Sequence, residues 1–464
     1  MRTEKDSLGE KKVPDDAYYG IQTLRGFENF QISGLREPEV FIRAYVTIKK
    51  AAAATNAELK ILDPKISNAI MKVADEVLGA KFVDSFIIDV FQAGAGTSFN
   101  MNVNEVLANR ANEILGSKKG DYKTVHPNDH VNMAQSTNDS FPTAMRIASL
   151  WEHEPLKKSL KRLAQSFHKK GEEFDDIPTS ARTHLQDAVP IRLGQEFEAF
   201  AVTLEKALKR LEIAAAPLHF LNIGATAAGT GMNSHSEYAQ KMAKTLSDLA
   251  KLPLKNPENL IEIAQSTADF ADYSSALKNL ALDLIKIAND LRLLASGPRV
   301  GLNEILLPAV QPGSSIMPGK VNPVIAECAN MVCFQVVGND LTVSMASQAS
   351  QLQLNVMMPV IIYNVLFSSK ILTNMMNTLA GKCVDGITAN RAQCQAYFEK
   401  TLGLATALNP IIGYAAAADV VREAVKTDTP ILKMIEKKGV LTEKEIKKYF
   451  DLHKLTEPGI LKKE

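Results

Sequence analysis

The chain has 464 residues, of which 46% are hydrophobic and 23% are charged, a composition typical of folded globular proteins. Its 53 basic and 52 acidic side chains nearly cancel, so the charge balance gives no sign of a nucleic acid or an anionic membrane as the main partner. This length exceeds what one hydrophobic core usually supports, which predicts two or three domains.

The N-terminal segment and the cysteines bear on where the protein works. Residues 1–14 are rich in charge and contain no apolar stretch, so we expect no secretory signal and a cytoplasmic location. The four cysteines form no C-x-x-C pair, and no histidine cluster lies near them at zinc-ligand spacing. We therefore expect reduced, mostly buried thiols.

Apolar residues recur at helical spacing along most of the chain, whereas strand patterns are scarce. The spacing predicts one helix through residues 197–211 and another through 276–294, which should end at the Gly-Pro pair 297–298. A third helix should cover about 323–337 and end near Gly338. The wide apolar faces of these helices predict an all-α fold with a long helix bundle that continues across subunits.

The segment 341–369 carries no charged residue and is long enough to cross a bilayer. It nevertheless contains several amide side chains, and Pro359 lies near its middle. A bilayer would leave those amides without hydrogen-bond partners, whereas a helix buried among other helices can satisfy them. We therefore predict a central bundle helix here rather than a membrane span.

Three polar segments beside predicted helix starts carry groups suited to binding anions. They contain Thr97 and Ser98, the run 136–138, and the pair Thr183 and His184. The free N–H groups of a helix N-terminus favour a negative charge, and hydroxyl groups add further donors. Taken singly, the hydroxyl and amide side chains are explained at least as well by helix capping. Their number favours a site for a small dianionic substrate.

A fourth segment, residues 312–323, combines prolines and glycines with polar side chains, so its loop is fixed at some points and hinged at others. Lys320 and Asn322 are suited to binding a carboxylate. Ser314 or Ser315 could act on a proton only if backbone N–H groups and a nearby cation stabilised its alkoxide. The alternative is an ordinary flexible loop with capping serines, and the lysine and asparagine at these spacings argue against it.

The sequence HPNDH at residues 126–130 brings two histidines and an aspartate together. A metal site is conceivable, but no fourth ligand can be named, so a surface anion site or a helix-entry turn is favoured. The chain also contains no G-x-x-x-x-G-K-[ST] motif and no pattern of β-α-β units, which argues against a nucleotide site.

Residues 313–322 (GSSIMPGKVN) resemble the signature of the aspartase/fumarase superfamily, and the resemblance extends over nearly the whole chain. It includes residues 16–20 (DAYYG), 182–188 (RTHLQDA) and 296–299 (SGPR). Within the superfamily, the aspartate ammonia-lyases are the most similar branch at residues 94–98 (GAGTS), 135–138 (QSTN) and 224–227 (GATA). Class II fumarases come second.

The resemblance implies a three-domain, mostly helical subunit of a homotetramer. Its domains would be an N-terminal helical domain at 1–137, a central long-helix domain at 138–393 and a small C-terminal helical domain at 394–464. Each active site would combine segments of three subunits, which would explain why the anion-binding segments are scattered along the sequence. The substrate would be a small molecule, with neither nucleic acid nor membrane as a partner.

The resemblance also implies a role for each candidate residue in the reversible conversion of L-aspartate to fumarate and ammonia. Ser314 would be the general base that removes the β-proton. The dianionic aci-carboxylate that results would be held by Thr97, Ser136, Thr137 and Ser315. The α-carboxylate would be held by Thr183, Lys320 and Asn322, and the amino group would lie near Asn138 and His184. No organic cofactor is required; some aspartases respond to divalent cations, but the sequence contains no recognisable metal site.

Two alternative functions stay open. A fumarate hydratase would use the same proton abstraction with hydroxide as the leaving group, and the superfamily also includes lens crystallins, so the fold alone does not prove catalysis. The intact candidate residues argue against a lost active site. The chain differs from several relatives at Gln353 and Met358, where they carry glutamates, and His184 is glutamine in some aspartases. The first two positions are expected in the central bundle, where they would affect stability or regulation.

Overall fold

A computed structural model describes residues 1–461, and most of this chain is helical. The α-helices are, in chain order, α1 Ile21–Asn29, α2 Glu39–Glu58, α3 Pro64–Leu78, α4 Thr97–Ile114, α5 Thr137–Glu173, α6 Leu193–Ala215, α7 Tyr238–Ala250, α8 Leu260–Gln265, α9 Ala268–Leu294, α10 Val324–Gln348, α11 Met358–Lys382, α12 Arg391–Lys400, α13 Asn409–Ile412, α14 Tyr414–Thr427, α15 Ile431–Lys437, α16 Glu443–Tyr449 and α17 Leu452–Thr456. The longest of them, α5, has 37 residues.

Strands are few and short in the described part of the chain. They are β1 Arg2–Asp6, β2 Gly9–Val13, β3 Pro178–Thr183, β4 Gln186–Arg192, β5 Ile305–Leu306 and β6 Thr388–Ala389. They form antiparallel two-stranded sheets in the pairs β1-β2, β3-β4 and β5-β6. A fold with this content confirms the predicted all-α class.

The apolar stripes of the sequence correspond to long helices. The predicted stretch 197–211 lies within α6, and the stretch 276–294 lies within α9, which ends just before the Gly-Pro pair. Side chains at helical spacing along α9 are buried, and they are Leu277, Leu280, Leu284, Ile287 and Leu291. Both helix predictions are confirmed.

The third predicted helix is longer than the sequence suggested. Helix α10 continues through Gly338 to Gln348, so the predicted end near Gly338 is wrong. A glycine inside a helix costs only about 1 kcal/mol relative to alanine. Val336 and Val343 are buried on either side of it, and packing of this kind outweighs the weak local preference.

The uncharged segment 341–369 is not one helix, which corrects the prediction of a single bundle helix. It comprises the end of α10, a connection at 349–357 and the start of α11. Pro359 is the second residue of α11, where its missing N–H costs no helical hydrogen bond. Gln353 is exposed in the connection, and Met358 is buried at the first position of α11. Among residues 1–461, no helix has both the length and the hydropathy that a membrane crossing demands.

The chain forms two compact units. The first comprises Met1–Lys157, Lys209–Ala281 and Phe334–Leu372, and the second comprises Lys158–Leu208, Leu282–Cys333 and the chain from Thr373 onward. The second unit contains a small hydrophobic core built by the C-terminal helices, whose buried members include Leu404, Leu408, Val420, Met434 and Ile435. The sequence-based domain boundaries at 137/138 and 393/394 stay predictions.

An aromatic cluster fixes the start of α4 and the start of α5 within the first unit. The Phe41 ring lies 5.4 Å from that of Phe99 in α4 and 5.0 Å from that of Phe141 in α5, measured between centroids. Tyr45, one turn along α2, contacts the same two rings at 5.4 and 5.9 Å. Since all of these side chains are fully buried, close packing of aromatic rings holds the two helix N-termini in place.

Candidate active site

The first turns of α4 and α5 lie side by side in the first unit. Helix α4 begins at Thr97, directly after Gly96, whose φ of 90° lies in the left-handed region. A Cβ at Gly96 would lie 2.1 Å from the Phe141 ring, so both conformation and packing require glycine here. The Thr97 hydroxyl lies 3.3 Å from the Thr137 hydroxyl at the start of α5. Two helix N-termini therefore meet at two threonines, an arrangement that favours a bound anion.

Ser136 lines a cavity of about 230 Å³ beside these threonines. Most of its lining comes from the loop at residues 224–233, and the lining residues besides Ser136 are Ala134, Gln135, Thr226, Ala227, Met232 and Asn233. The Ser136 hydroxyl accepts a hydrogen bond from the Asn138 N–H at 3.2 Å, so the capping role holds for it as well. The Asn138 side-chain Nδ2 donates to the Ala227 carbonyl at 2.8 Å. The structure thus brings the first-unit candidates Thr97, Ser136, Thr137 and Asn138 together.

Sequence reasoning missed Lys49, which is fully buried in α2. Its ammonium donates to Asn100 Oδ1 at 2.8 Å and to Asn132 Oδ1 and Gln135 Oε1, each at 2.9 Å. Asn100 in turn donates to the Thr137 hydroxyl at 3.1 Å, which links the buried cation to the start of α5. Burial lowers the pKa of Lys49 to about 7. The available signal was a lysine within a run of apolar residues at helical spacing.

Asp139, also missed, is a second buried charge at this place. Its Oδ1 accepts from the Ser136 N–H at 3.0 Å, and its Oδ2 accepts from the N–H groups of Gly224 and Thr226 at 3.1 and 2.9 Å. Burial raises the pKa of this carboxyl to about 7, while the three N–H groups and the charge of Lys49 act in the opposite direction. One carboxylate therefore ties the start of α5 to the 224–233 loop. The motif QSTND contained the residue, but the sequence did not indicate its partners.

In the second unit, the Ser314 side chain sits in a turn of its own loop. Its Oγ accepts a hydrogen bond from the Ile316 N–H at 3.2 Å and another from the Met317 N–H at 3.0 Å. A capping serine makes the same bonds, and they also direct two positive dipole ends at the oxygen that would become an alkoxide.

The ends of the Ser314 loop are joined by short hydrogen bonds. The Gly313 N–H donates to the Lys320 carbonyl at 2.7 Å, and Asn322 Nδ2 donates to the Gly313 carbonyl at 2.7 Å. A Cβ at Gly313 would lie 2.5 Å from the Lys320 carbonyl oxygen, so the two strands of the loop approach too closely for any other residue. The side chains of Ser315 and Lys320 are exposed, and the loop thus presents the second-unit candidates Ser314, Ser315, Lys320 and Asn322 as one group.

Thr183 and His184 do not precede a helix, which corrects that part of the sequence analysis. They occupy the tip of the β3-β4 hairpin, where Thr183 pairs with Gln186 and the residues between them both have a φ of 58°. A two-residue turn with positive φ matches the twist of the flanking strands, so it can close a hairpin here. The sequence analysis had instead placed this segment beside the start of a helix. The tip is exposed, and in the described residues no hydrogen bond joins it to the Ser314 loop.

The HPNDH segment forms a short helical turn. His126 precedes a short helical turn, and its Nδ1 accepts from the N–H groups of Asn128 and Asp129 at 3.1 and 3.2 Å. His130 Nδ1 accepts from the His126 N–H at 2.9 Å. Residues 1–461 include no group of three or more histidine, cysteine, aspartate or glutamate side chains arranged to hold a metal ion. The helix-entry turn favoured from the sequence is present.

Two family models match the chain. One, described as Lyase, matches residues 9–338, and the other, described as Fumarase C C-terminus, matches residues 404–457. Together they cover most of the sequence, including every candidate residue of both units.

Curated relatives match over nearly their full length. An aspartate ammonia-lyase of Bacillus subtilis (strain 168) is 50% identical over 463 residues, which cover 100% of this chain and 98% of the relative. That of Escherichia coli (strain K12) is 47% identical over 462 residues, covering 99% of this chain and 97% of the relative. That of Helicobacter pylori (strain J99 / ATCC 700824) is 46% identical, covering 100% and 99%.

Solved structures share the fold. A fumarate lyase:delta crystallin from Brucella melitensis bound to cobalt has a TM-score of 0.96 and 49% identity, covering 98% of this chain and 100% of that one. A class II fumarase from Schistosoma mansoni has a TM-score of 0.93 and 37% identity, covering 97% and 98%. The chain therefore belongs to the aspartase/fumarase superfamily and, within it, to the branch of the aspartate ammonia-lyases.

Proposed function

We propose that the protein converts L-aspartate reversibly to fumarate and ammonia, with Ser314 as the base. Family membership supports a lyase, and the names of the curated relatives described above support aspartate as its substrate. The structural observation that carries the role of Ser314 is the pair of backbone N–H groups aimed at its Oγ. Such donors stabilise negative charge on that oxygen before any substrate arrives.

The chemistry needs no group other than side chains and backbone dipoles. The Ser314 alkoxide takes a proton from the β-carbon of aspartate, and the C–H electron pair moves into the β-carboxylate to give a dianionic aci-carboxylate. When this intermediate collapses, the double bond of fumarate forms and the C–N pair leaves with nitrogen. The leaving group is the substrate's ammonium, so it departs as neutral ammonia and requires no proton donor.

The meeting of α4 and α5 suits the developing dianion. The hydroxyls of Thr97 and Thr137 lie 3.3 Å apart at two helix N-termini, and Ser136 lies beside them. Positive helix ends fixed in place by an aromatic core need little rearrangement when charge appears on the carboxylate. In this proposal Ser315 adds a further hydroxyl to the same carboxylate.

In this proposal the remaining candidate residues bind the α-carboxylate and the amino group of the substrate. Lys320 supplies a positive charge and Asn322 an amide on the Ser314 loop, and Thr183 supplies a hydroxyl at the hairpin tip. Asn138 and His184 are assigned to the amino group. A charge-assisted hydrogen bond to a carboxylate contributes roughly 1.5–3 kcal/mol, so Lys320 should dominate binding at this end of the substrate.

We further propose that the sites are completed between subunits of a homotetramer. Large apolar side chains share one face of α10 while most of each is exposed in the single chain: Phe334 is 59% exposed, Leu341 65% and Met345 58%. Such a stripe on a long helix is typical of a bundle whose partner helices come from other copies.

Hydration of fumarate is the second candidate function, favoured by the likeness to a class II fumarase at a TM-score of 0.93. Incubation with L-aspartate and, separately, with L-malate distinguishes the two, because both reactions form fumarate, whose ultraviolet absorbance can be followed. Fumarate from aspartate alone is the expected outcome. Fumarate from malate alone would assign the protein to the hydratases.

The role of Ser314 is tested against its neighbour in the same loop. Ser314→Ala should lower kcat by about 10²–10⁴-fold, since a general base is lost. Ser315→Ala removes one hydrogen bond and should cost only about 10-fold, equivalent to about 1.4 kcal/mol. A larger loss for Ser315→Ala than for Ser314→Ala, with both proteins folded, would exchange the two roles.

A further inference from the structure

The Asp139 carboxylate holds the 224–233 loop by backbone groups alone. Gly224 and Thr226 donate their N–H groups to one oxygen, and Ser136 donates its N–H to the other. The turn between them is unusual, since Gly224 has a φ of 93° and Thr226 a φ of 54°. A threonine in the left-handed region is costly unless its surroundings hold it there, and the buried carboxylate supplies two of those constraints.

This fixed turn places the Ala227 carbonyl against Asn138. The carbonyl can only accept a hydrogen bond, so it selects the Nδ2 end of the Asn138 amide, which donates to it at 2.8 Å. The Oδ1 end is then turned away from the loop and has lone pairs to offer. An oxygen acceptor in this place suits an ammonium group, which has only N–H donors.

We propose that Asp139 is a positioning residue that, through the 224–233 loop and the Ala227 carbonyl, orients Asn138 so that its amide oxygen accepts from the ammonium of the substrate. The proposal rests on the aspartate reaction proposed above and deepens it. It makes recognition of the amino group by Asn138 depend on the Asp139 carboxylate, and it makes the 224–233 loop part of the selection between amino and non-amino dicarboxylates.

A double-mutant cycle tests whether the two residues act through each other. Asn138→Ala and Asp139→Asn should each lower kcat/KM for L-aspartate by about 10- to 100-fold, the loss expected for one charge-assisted hydrogen bond. If Asp139 acts through Asn138, the double variant should be little worse than either single variant. Losses that multiply in the double variant would overturn the proposal.

A ligand without an amino group provides the second measurement. Succinate is a dicarboxylate of the same chain length, so its inhibition constant should change by less than about 3-fold in Asp139→Asn, whereas kcat/KM for L-aspartate falls. An equal weakening of succinate and aspartate would mean that Asp139 supports the carboxylate pocket, through Ser136, and not the amino group.

Glu105 offers a matched control for the loss of a buried carboxylate. It is also buried in the first unit and accepts from the N–H groups of Gly20, Gln22 and Thr23 at 2.8, 2.9 and 3.0 Å, and within residues 1–461 no hydrogen bond joins it to a residue that lines the cavity. Glu105→Gln should lower the unfolding midpoint about as much as Asp139→Asn while keeping kcat/KM near the unmodified value. If Glu105→Gln lost as much activity, the effect of Asp139→Asn would be general destabilisation and the proposal would fall.

Failure of this inference can be told apart from failure of the proposed function. If the unmodified protein releases no ammonia from L-aspartate, the proposed function is wrong. The proposed function stands if ammonia is released and Asn138→Ala lowers kcat/KM for L-aspartate. The positioning role is then refuted if Asp139→Asn leaves kcat/KM unchanged, or if its loss multiplies with that of Asn138→Ala in the double variant.

Discussion

Burial favours the neutral form of the Glu37 carboxyl, and we predict that Glu37→Gln stabilises the protein increasingly, relative to the parent, as the pH rises. Glu37 Oε1 accepts from Gln92 Nε2 at 3.2 Å, and Gln92 Oε1 accepts from the Phe99 N–H in the first turns of α4. Glu37 Oε2 has no hydrogen-bond partner in the structure. A carboxylate in such a place would be poorly solvated, so the neutral acid is favoured.

The magnitude follows from proton linkage. Burial raises the pKa of Glu37 from 4.5 to about 8, so the folded protein keeps a proton that the unfolded chain releases. Stability contributed by this group is therefore complete below pH 4.5 and is lost as the pH rises towards 8. The free energy of unfolding falls by about 1.4 kcal/mol per pH unit between the two pKa values. The loss is therefore about 2 kcal/mol at about pH 6 and about 4 kcal/mol at about pH 8. Glutamine has no proton to release, so its free energy of unfolding lacks this pH dependence. Between about pH 6 and pH 8 the variant should therefore gain about 2 kcal/mol in free energy of unfolding relative to the parent.

Thermal unfolding at about pH 6 and pH 8 measures this difference. With an unfolding entropy of about 2.1 cal/mol/K per residue, the midpoint of a 464-residue chain moves by about 1 °C per kcal/mol. The advantage of Glu37→Gln over the parent should thus be about 2 °C larger at pH 8 than at pH 6. Glu39→Gln, whose parent side chain is 67% exposed, should show no such change between the two pH values. An advantage that is equal at both pH values would mean that Glu37 is ionised in the folded protein, and the reasoning would be refuted.

Other predictions concern the candidate site. Lys320→Ala should lower kcat/KM for L-aspartate by about 10- to 100-fold through loss of a charged hydrogen bond, and unchanged steady-state kinetics would show that this lysine does not bind substrate. Gly96→Ala should lower the unfolding midpoint and remove activity, since a Cβ would lie 2.1 Å from an aromatic carbon of the core; a folded and active variant would contradict this. Ser314→Ala and Thr183→Ala proteins, dissociated and reassociated together, should regain part of the activity if one site draws these residues from different chains. No recovery in tetramers verified by mass to be mixed would place both residues of one site on the same chain.

Much of the helical fold could be predicted because its signals are local. The stripe through Leu277, Leu284 and Leu291 extends over about four turns of α9, and a Gly-Pro pair follows the end of the helix. Gly338 misled the prediction, because its local helix penalty is smaller than the packing of its neighbours. Pro359 signalled the break that the single-helix prediction passed over, because proline is disfavoured inside a helix and favoured in its first turn.

The candidate site likewise contains residues that are grouped locally in the sequence and residues whose partners are distant in the chain. Ser314, Lys320 and Asn322 stand within one loop, so their grouping was visible in the sequence. Lys49 and Asp139 depend on partners that are distant in the chain, and no spacing rule connects a lysine in α2 with amides near residues 100 and 132. Thr183 was placed at a helix start because hydroxyl-rich segments cap helices and turn hairpins equally well.

The turn at the tip of the β3-β4 hairpin limits which substitutions can report on the His184 imidazole. His184 and Leu185 both have a φ of 58°, a conformation that asparagine and glycine adopt readily and β-branched residues resist. His184→Val would therefore combine the loss of the ring with a strained backbone, whereas His184→Asn would keep the turn and isolate the chemistry. In a saturation library at this position, the backbone conformation would select against many side chains before any effect on the reaction is seen. Enrichment of asparagine or glycine among active clones would therefore reflect the requirements of the hairpin turn and not those of ammonia release.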